Sequence, residues 1–85
     1  MSFKVLLSPK SDNFLKKLDT NEQERIKNKF RNLANNPELG KPLIGKLVGL
    51  WSLRIGDYRA IYQIRKLELL ILVVKIGHRK NVYEL

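Results

Sequence analysis

The stretch LRIGDYRAIY, Leu53 to Tyr62, decides how this chain folds. Gly56-Asp57 lies between two runs rich in β-branched and aromatic residues. It fits a two-residue type II′ hairpin loop, in which glycine supplies the positive φ of the first central position. That loop sets a register: Ile55 faces Tyr58, Arg54 faces Arg59, Leu53 faces Ala60, Ser52 faces Ile61 and Trp51 faces Tyr62. Successive side chains on a strand point to opposite faces. One face therefore carries Trp51, Leu53, Ile55, Tyr58, Ala60, Tyr62 and Ile64, a surface for helices to cover. The other carries Ser52, Arg54, Arg59, Ile61 and Gln63. Two arginines directly opposite each other repel, so this open face asks for an explanation.

Working outward, Leu47 to Ile55 and Tyr58 to Arg65 read as strands. Leu69 to Ile76 reads as a third, apolar on both sides as a central strand is. Upstream, Phe3 to Ser8 predicts a short first strand stopped by Pro9. Phe14, Leu15 and Leu18 then mark one face of a short helix, with Ser11 or a nearby polar residue as its cap. Thr20-Asn21-Glu22-Gln23 has the form of a capping box and predicts that Thr20 starts a second helix. Ile26, Phe30, Leu33 and Ala34 form its apolar stripe. Asn36-Pro37 ends it, since the residue before proline is pushed out of the α region. The expectation is a single α+β domain over residues 1–85. Its elements run β-α-α-β-β-β, a small antiparallel sheet with the helical hairpin packed on one face.

Composition narrows the function. The chain has 85 residues, 17 basic and 8 acidic side chains, a net charge of +9 and no cysteine. No disulfide or thiolate metal site is therefore available. The longest apolar run, Leu69 to Val74, is too short to span a bilayer and the N-terminus lacks a secretory pattern. We expect a cytoplasmic location and no membrane partner. Residues 1–40 carry +3 and residues 41–85 carry +6, so the excess sits with the arginine pair. Such a field favours polyanions, nucleic acid above all.

Two arginines on an open face suit a phosphate held between guanidiniums. On the residues alone, the alternative that they splay into water or pair with Asp57 or Glu84 stays open. The chain's end, Lys75 to Leu85, adds His78, Arg79, Lys80 and Tyr83. Gly77 could let this segment turn back toward the open face. His, Arg, Lys and Tyr together can cut RNA without a metal or other cofactor. A base takes the ribose 2′-OH proton, the oxygen attacks the adjacent phosphate, an acid protonates the departing 5′ oxygen, and arginines hold the transition-state charge. No phosphate-cradling glycine loop, nucleophile elbow or carboxylate cluster competes with that set.

Gly45 to Ile64 followed by Val73 to Leu85 resembles the RelE/ParE superfamily of toxin–antitoxin toxins, closest to the RelE-like mRNA interferases. The GLW-x-x-R-x-GDYR-x-IY block and the GHR-x-x-VY ending carry the resemblance. It implies cleavage of mRNA in the ribosomal A site and restraint by a RelB-like antitoxin. Operator DNA would be reached only through the toxin–antitoxin complex. By position it assigns phosphate binding and transition-state stabilisation to Arg59 and Arg79. Tyr83 is matched to substrate placement or proton transfer, His78 to acid–base work and Arg54 to a supporting role. Lys46, Lys75 and Lys80 join Arg54 as substrate-binding residues. The best-known bacterial members have lysines at about the positions of Leu50 and Ser52. Neither residue is basic here, which moves acid–base work onto His78, Tyr83, Lys46 or Lys75. A ParE-like toxin that inhibits DNA gyrase by protein contact is the alternative, and a homologue that has lost activity is a third reading. A flexible acidic antitoxin segment would lie over the helices or displace the C-terminal segment, disturbing Arg79 and Tyr83.

Overall fold

The computed structural model describes residues 2–80. Strand β1 (Lys4–Leu7) leads into helices α1 (Pro9–Lys16) and α2 (Thr20–Asn35). Then come β2 (Lys41–Pro42), β3 (Trp51–Ile55), β4 (Tyr58–Arg65) and β5 (Leu70–His78). The five strands form one sheet in the order β1-β5-β4-β3-β2. The β3–β4 register is the one that the Gly56-Asp57 loop dictates, residue for residue. Gly56 has φ of +60° and Asp57 does not enter the left-handed region, as a type II′ turn requires.

The sheet is mixed where an antiparallel one was expected, because β1 lies parallel to β5. Both helices intervene between β1 and the other strands, so no hairpin dictates its direction. Val5 pairs with Ile71 and Leu7 with Val73, which puts Val5 and Leu7 on the helix-covered face. The strand expected from Leu47 begins only at Trp51. Gly45 and Gly49 take φ of +68° and +96°, which no extended strand tolerates, and a 3-10 turn occupies Gly45–Leu47.

Helix α2 starts at Thr20 as expected, while both N-caps fall just upstream of Ser11 and Thr20. Ser8 caps α1, its hydroxyl accepting from the Ser11 N–H. Ser11 is buried instead, and its own hydroxyl donates to the Val73 carbonyl. Asp19, not Thr20, caps α2 by accepting from the Glu22 N–H at 2.9 Å. A carboxylate there also meets the positive end of the helix dipole. Gln23 reaches back to the Leu18 carbonyl.

Ile26, Phe30 and Leu33 of α2 and Leu15 of α1 press onto Leu53, Ile55, Ala60, Tyr62, Ile71 and Val73. The opposite face has two halves. Leu6, Leu70 and Leu72 share it across β1 and β5, while Arg54, Arg59 and Lys75 share it across β3, β4 and β5. Ile61 is fully buried on that second half, outside the main core, with Ser52 and Lys75 as its direct neighbours in the ladder.

Candidate functional site

Two basic clefts flank this half of the sheet. The first is a groove of about 300 Å³ whose lining includes Lys29, Gly40, Lys41, Ser52, Arg54 and Arg59 and, among the described residues, no carboxylate. Arg59 donates from Nη1 to the Ser52 hydroxyl at 3.2 Å, which aims the guanidinium along the groove. Lys41 stands opposite Ser52 in the β2–β3 ladder. Direct partners share a face, so the lysine and both arginines project to one side.

A buried tyrosine sets the groove wall. Tyr62 is fully buried, donates its hydroxyl to the Pro37 carbonyl at 2.7 Å, and accepts the Gly40 N–H at 3.1 Å. Burial pushes its pKa up, against the opposing bond from Gly40. Gly40 passes so close to β3 that a Cβ there would lie 2.4 Å from the Ser52 carbonyl oxygen. Only glycine fits, and that close passage delivers Lys41 to Ser52. Among the described residues no carboxylate pairs with Lys29, Lys41, Arg54 or Arg59. Glu38, near Gly40 in the chain, is engaged with Lys66 at 3.8 Å.

The second cleft, about 420 Å³, lies at the hairpin end and is lined by Asp57, Tyr58, His78, Arg79 and Lys80. Gly77 does not turn the chain here. It continues β5 opposite Arg59, and His78 falls opposite Tyr58 on the helix-covered side. The expectation that His78 folds back over the open face is therefore corrected, since strand alternation carries it to the other side. The imidazole ring sits 5.0 Å from the Tyr58 ring and 6.2 Å from Phe14, centre to centre. Tyr58 donates to Glu22, and that bond, with burial and the negative charges of Glu22, Asp19 and Asp57, pushes its pKa up to about 12. The Arg79 N–H donates to the Asp57 carbonyl at 3.0 Å and ties the end of β5 to the hairpin loop.

The structure thus brings Arg54 and Arg59 together in one cleft, and His78, Arg79 and Lys80 in the other. Lys75 lies on the arginine face opposite Ile61, Lys46 sits in an exposed turn and lines neither cleft, and Tyr83 lies outside the described residues. Sequence reasoning missed Lys29 and Lys41. The available signal was Pro42, whose missing N–H marks an edge strand. Among the described residues no three His, Cys, Asp or Glu side chains gather to hold a metal ion, and no helix is long and apolar enough to cross a membrane.

An α+β domain with a helical hairpin on one sheet face and a cationic groove on the other has well-defined relatives, the toxins of toxin–antitoxin pairs. The family model described as the ParE toxin of the type II toxin–antitoxin system, parDE, matches residues 5–83, and the chain belongs to that family within the RelE/ParE superfamily. Toxin RelG of Mycobacterium tuberculosis is 34% identical over 55 residues, 64% of this chain and 63% of that protein. Toxin RelE of the same organism is 42% identical over 57 residues, 66% of this chain and 59% of that protein. The chain therefore aligns with about three fifths of the length of each of these relatives. The toxin–antitoxin complex RelBE2 from M. tuberculosis contains a chain that superposes with a TM-score of 0.85 at 27% identity, covering 93% of this chain and 100% of that one. A chain of the archaeal RelE–RelB complex from Pyrococcus horikoshii shares the fold at 24% identity, with a TM-score of 0.75 and coverage of 93% and 97%.

Proposed function

We propose that this protein is a ribosome-dependent, metal-independent endoribonuclease that cleaves mRNA in the A site and so stops translation. The observation that carries the reading is the groove, where an otherwise repulsive Arg54–Arg59 pair faces outward with no carboxylate among the described residues to neutralise it. Arg59 holds the scissile phosphate, with Arg54 beside it. Arg79, at the end of the strand that pairs with Arg59, adds charge as the 2′ oxygen attacks and the 5′ oxygen leaves. Proton transfer falls to His78 and Tyr83. This places the reaction at the hairpin end of the sheet, where Gly77 separates Arg59 from the histidine cleft. Lys46, Lys75 and Lys80 contribute to docking on ribosomal RNA. The ribosome orders the substrate, which lets a sparse catalytic set suffice. The reading places the protein in the cytoplasm and requires no cofactor. A RelB-like antitoxin, such as those in the complexes formed by its structural relatives, is the proposed partner and would carry the pair to operator DNA.

Primer extension on a reporter mRNA in a reconstituted translation reaction tests this, with wild type beside Arg79→Ala and ribosome-free controls. We expect ribosome-dependent cuts that vanish with Arg79→Ala. A folded, antitoxin-free protein that cuts nothing would sink the reading. The family model, which describes ParE toxins, favours a second reading, inhibition of DNA gyrase by protein contact, and gyrase supercoiling is the assay that follows such a failure.

A further inference from the structure

We infer that Lys41, with Lys29 beside it, is a phosphate-holding residue of the groove and takes a second backbone phosphate of single-stranded RNA next to the one at Arg59. The inference rests on the nuclease reading for the identity of the polyanion, and on the groove for everything else. Lys41 and Ser52 are direct ladder partners, and Ser52 accepts from Arg59, so the serine sits between the lysine and the arginine. The backbone that carries Lys41 is held in advance. Gly40 hydrogen-bonds to the buried Tyr62 hydroxyl and packs against the Ser52 carbonyl. A cation on a fixed backbone loses less freedom when it binds than one on a mobile loop.

Lys29 reaches the same groove from α2, so four cations from four separate elements converge where, among the described residues, no carboxylate lines the wall. Surfaces that serve only solubility intersperse the two signs of charge. The two-residue β2 also stops short. Among the described residues the outer edge of β3 beyond Ser52 has no strand neighbour, an edge along which an extended chain could lie.

The test is binding of a 2′-O-methyl oligoribonucleotide, which resists 2′-OH cleavage, by the full chain between about 50 and 200 mM salt. Each phosphate contact on a single strand contributes about 0.7 to the slope of log affinity against log salt. Lys41→Ala should lower the slope by about that amount and weaken low-salt binding several-fold. Lys41→Arg should keep the slope, and Lys10→Ala, on exposed α1, should barely change it. Thermal melts establish that each variant is folded. A Lys41→Ala slope equal to wild type, or an equal fall with Lys10→Ala, overturns the inference. So does Lys41-dependent binding of an oligoglutamate peptide without binding of the oligonucleotide. Cleavage on ribosomes, measured on the same proteins, judges the nuclease reading separately, because the slopes do not depend on turnover.

Discussion

The two basic clefts are built in different ways. In the groove, the hairpin register places Arg54 and Arg59, and Tyr62 and Gly40 fix the backbone that carries Lys41. At the hairpin end, His78 is held by ring contacts with Tyr58 and Phe14, and the main chain of Arg79 by one bond to the Asp57 carbonyl. A preorganised cation site suits a fixed phosphate, since its charges need no reorganisation as the reaction proceeds. An imidazole at a strand end suits a group that must exchange protons with solvent. On the nuclease reading proposed above, the two clefts divide the labour, with charge placed by the sheet and proton transfer at its end.

The largest expected effect comes from Arg59, the residue nearest both clefts in the ladder. Arg59→Ala should reduce the rate of ribosome-dependent cleavage by roughly a hundred- to a thousandfold. The substitution also takes a partner from the buried Ser52 hydroxyl, so a modest fall in melting temperature is expected, and thermal melts establish that the variant is folded. Equal losses from Arg54→Ala and Arg59→Ala would break the comparison, since the two arginines would then act as an undifferentiated charge pair.

Gly40→Ala should strike the groove and spare the other cleft. A methyl group there collides with the Ser52 backbone carbonyl, and relief of that overlap must move β2. A cost of roughly 1–3 kcal/mol is expected, read as a lower midpoint in urea. The variant should also lose the Lys41 contribution to the salt slope. Retention of that contribution would mean that Lys41 does not depend on the Tyr62–Gly40 anchor.

What the sequence shows of this fold tracks the range of the interactions involved. The β3–β4 register was legible because two residues, Gly56 and Asp57, dictate it locally. The helix stripe at Ile26, Phe30 and Leu33 was legible because one period runs through it. The parallel placement of β1 was not, since it depends on pairing with a strand more than sixty residues away. The N-caps were displaced because Ser8 and Asp19 compete with neighbours of the same chemistry, and tertiary contacts take Ser11 into the core. For the site, Arg54 and Arg59 followed from the hairpin. Lys41 did not, because a two-residue strand has no periodicity to read. The placement of His78 turned on Gly77 continuing the strand, a choice that glycine leaves open in sequence.

The smallest effect sharpens the comparison from the cleft side. Tyr58→Phe removes the hydroxyl that donates to Glu22 and keeps the ring against His78 and Phe14. Near neutral pH it should cost about 1 kcal/mol or less. In alkali the sign differs. Glu22 and burial raise the folded-state pKa of Tyr58 from 10.0 to about 12, so the folded protein holds this proton more tightly than the unfolded chain. The resulting stabilisation is complete below the unfolded pKa and disappears as pH rises through the folded one. Wild-type stability should therefore fall between about pH 10 and 12 more steeply than that of Tyr58→Phe. Lysine deprotonation and Tyr62 affect both proteins alike and cancel in the difference. Parallel urea midpoints across that window would show that the Tyr58–Glu22 bond does not form in solution. The salt slope for the oligonucleotide, measured near neutral pH, should not change in Tyr58→Phe, because the groove takes its geometry from Tyr62. A changed slope would show that the two clefts are mechanically one.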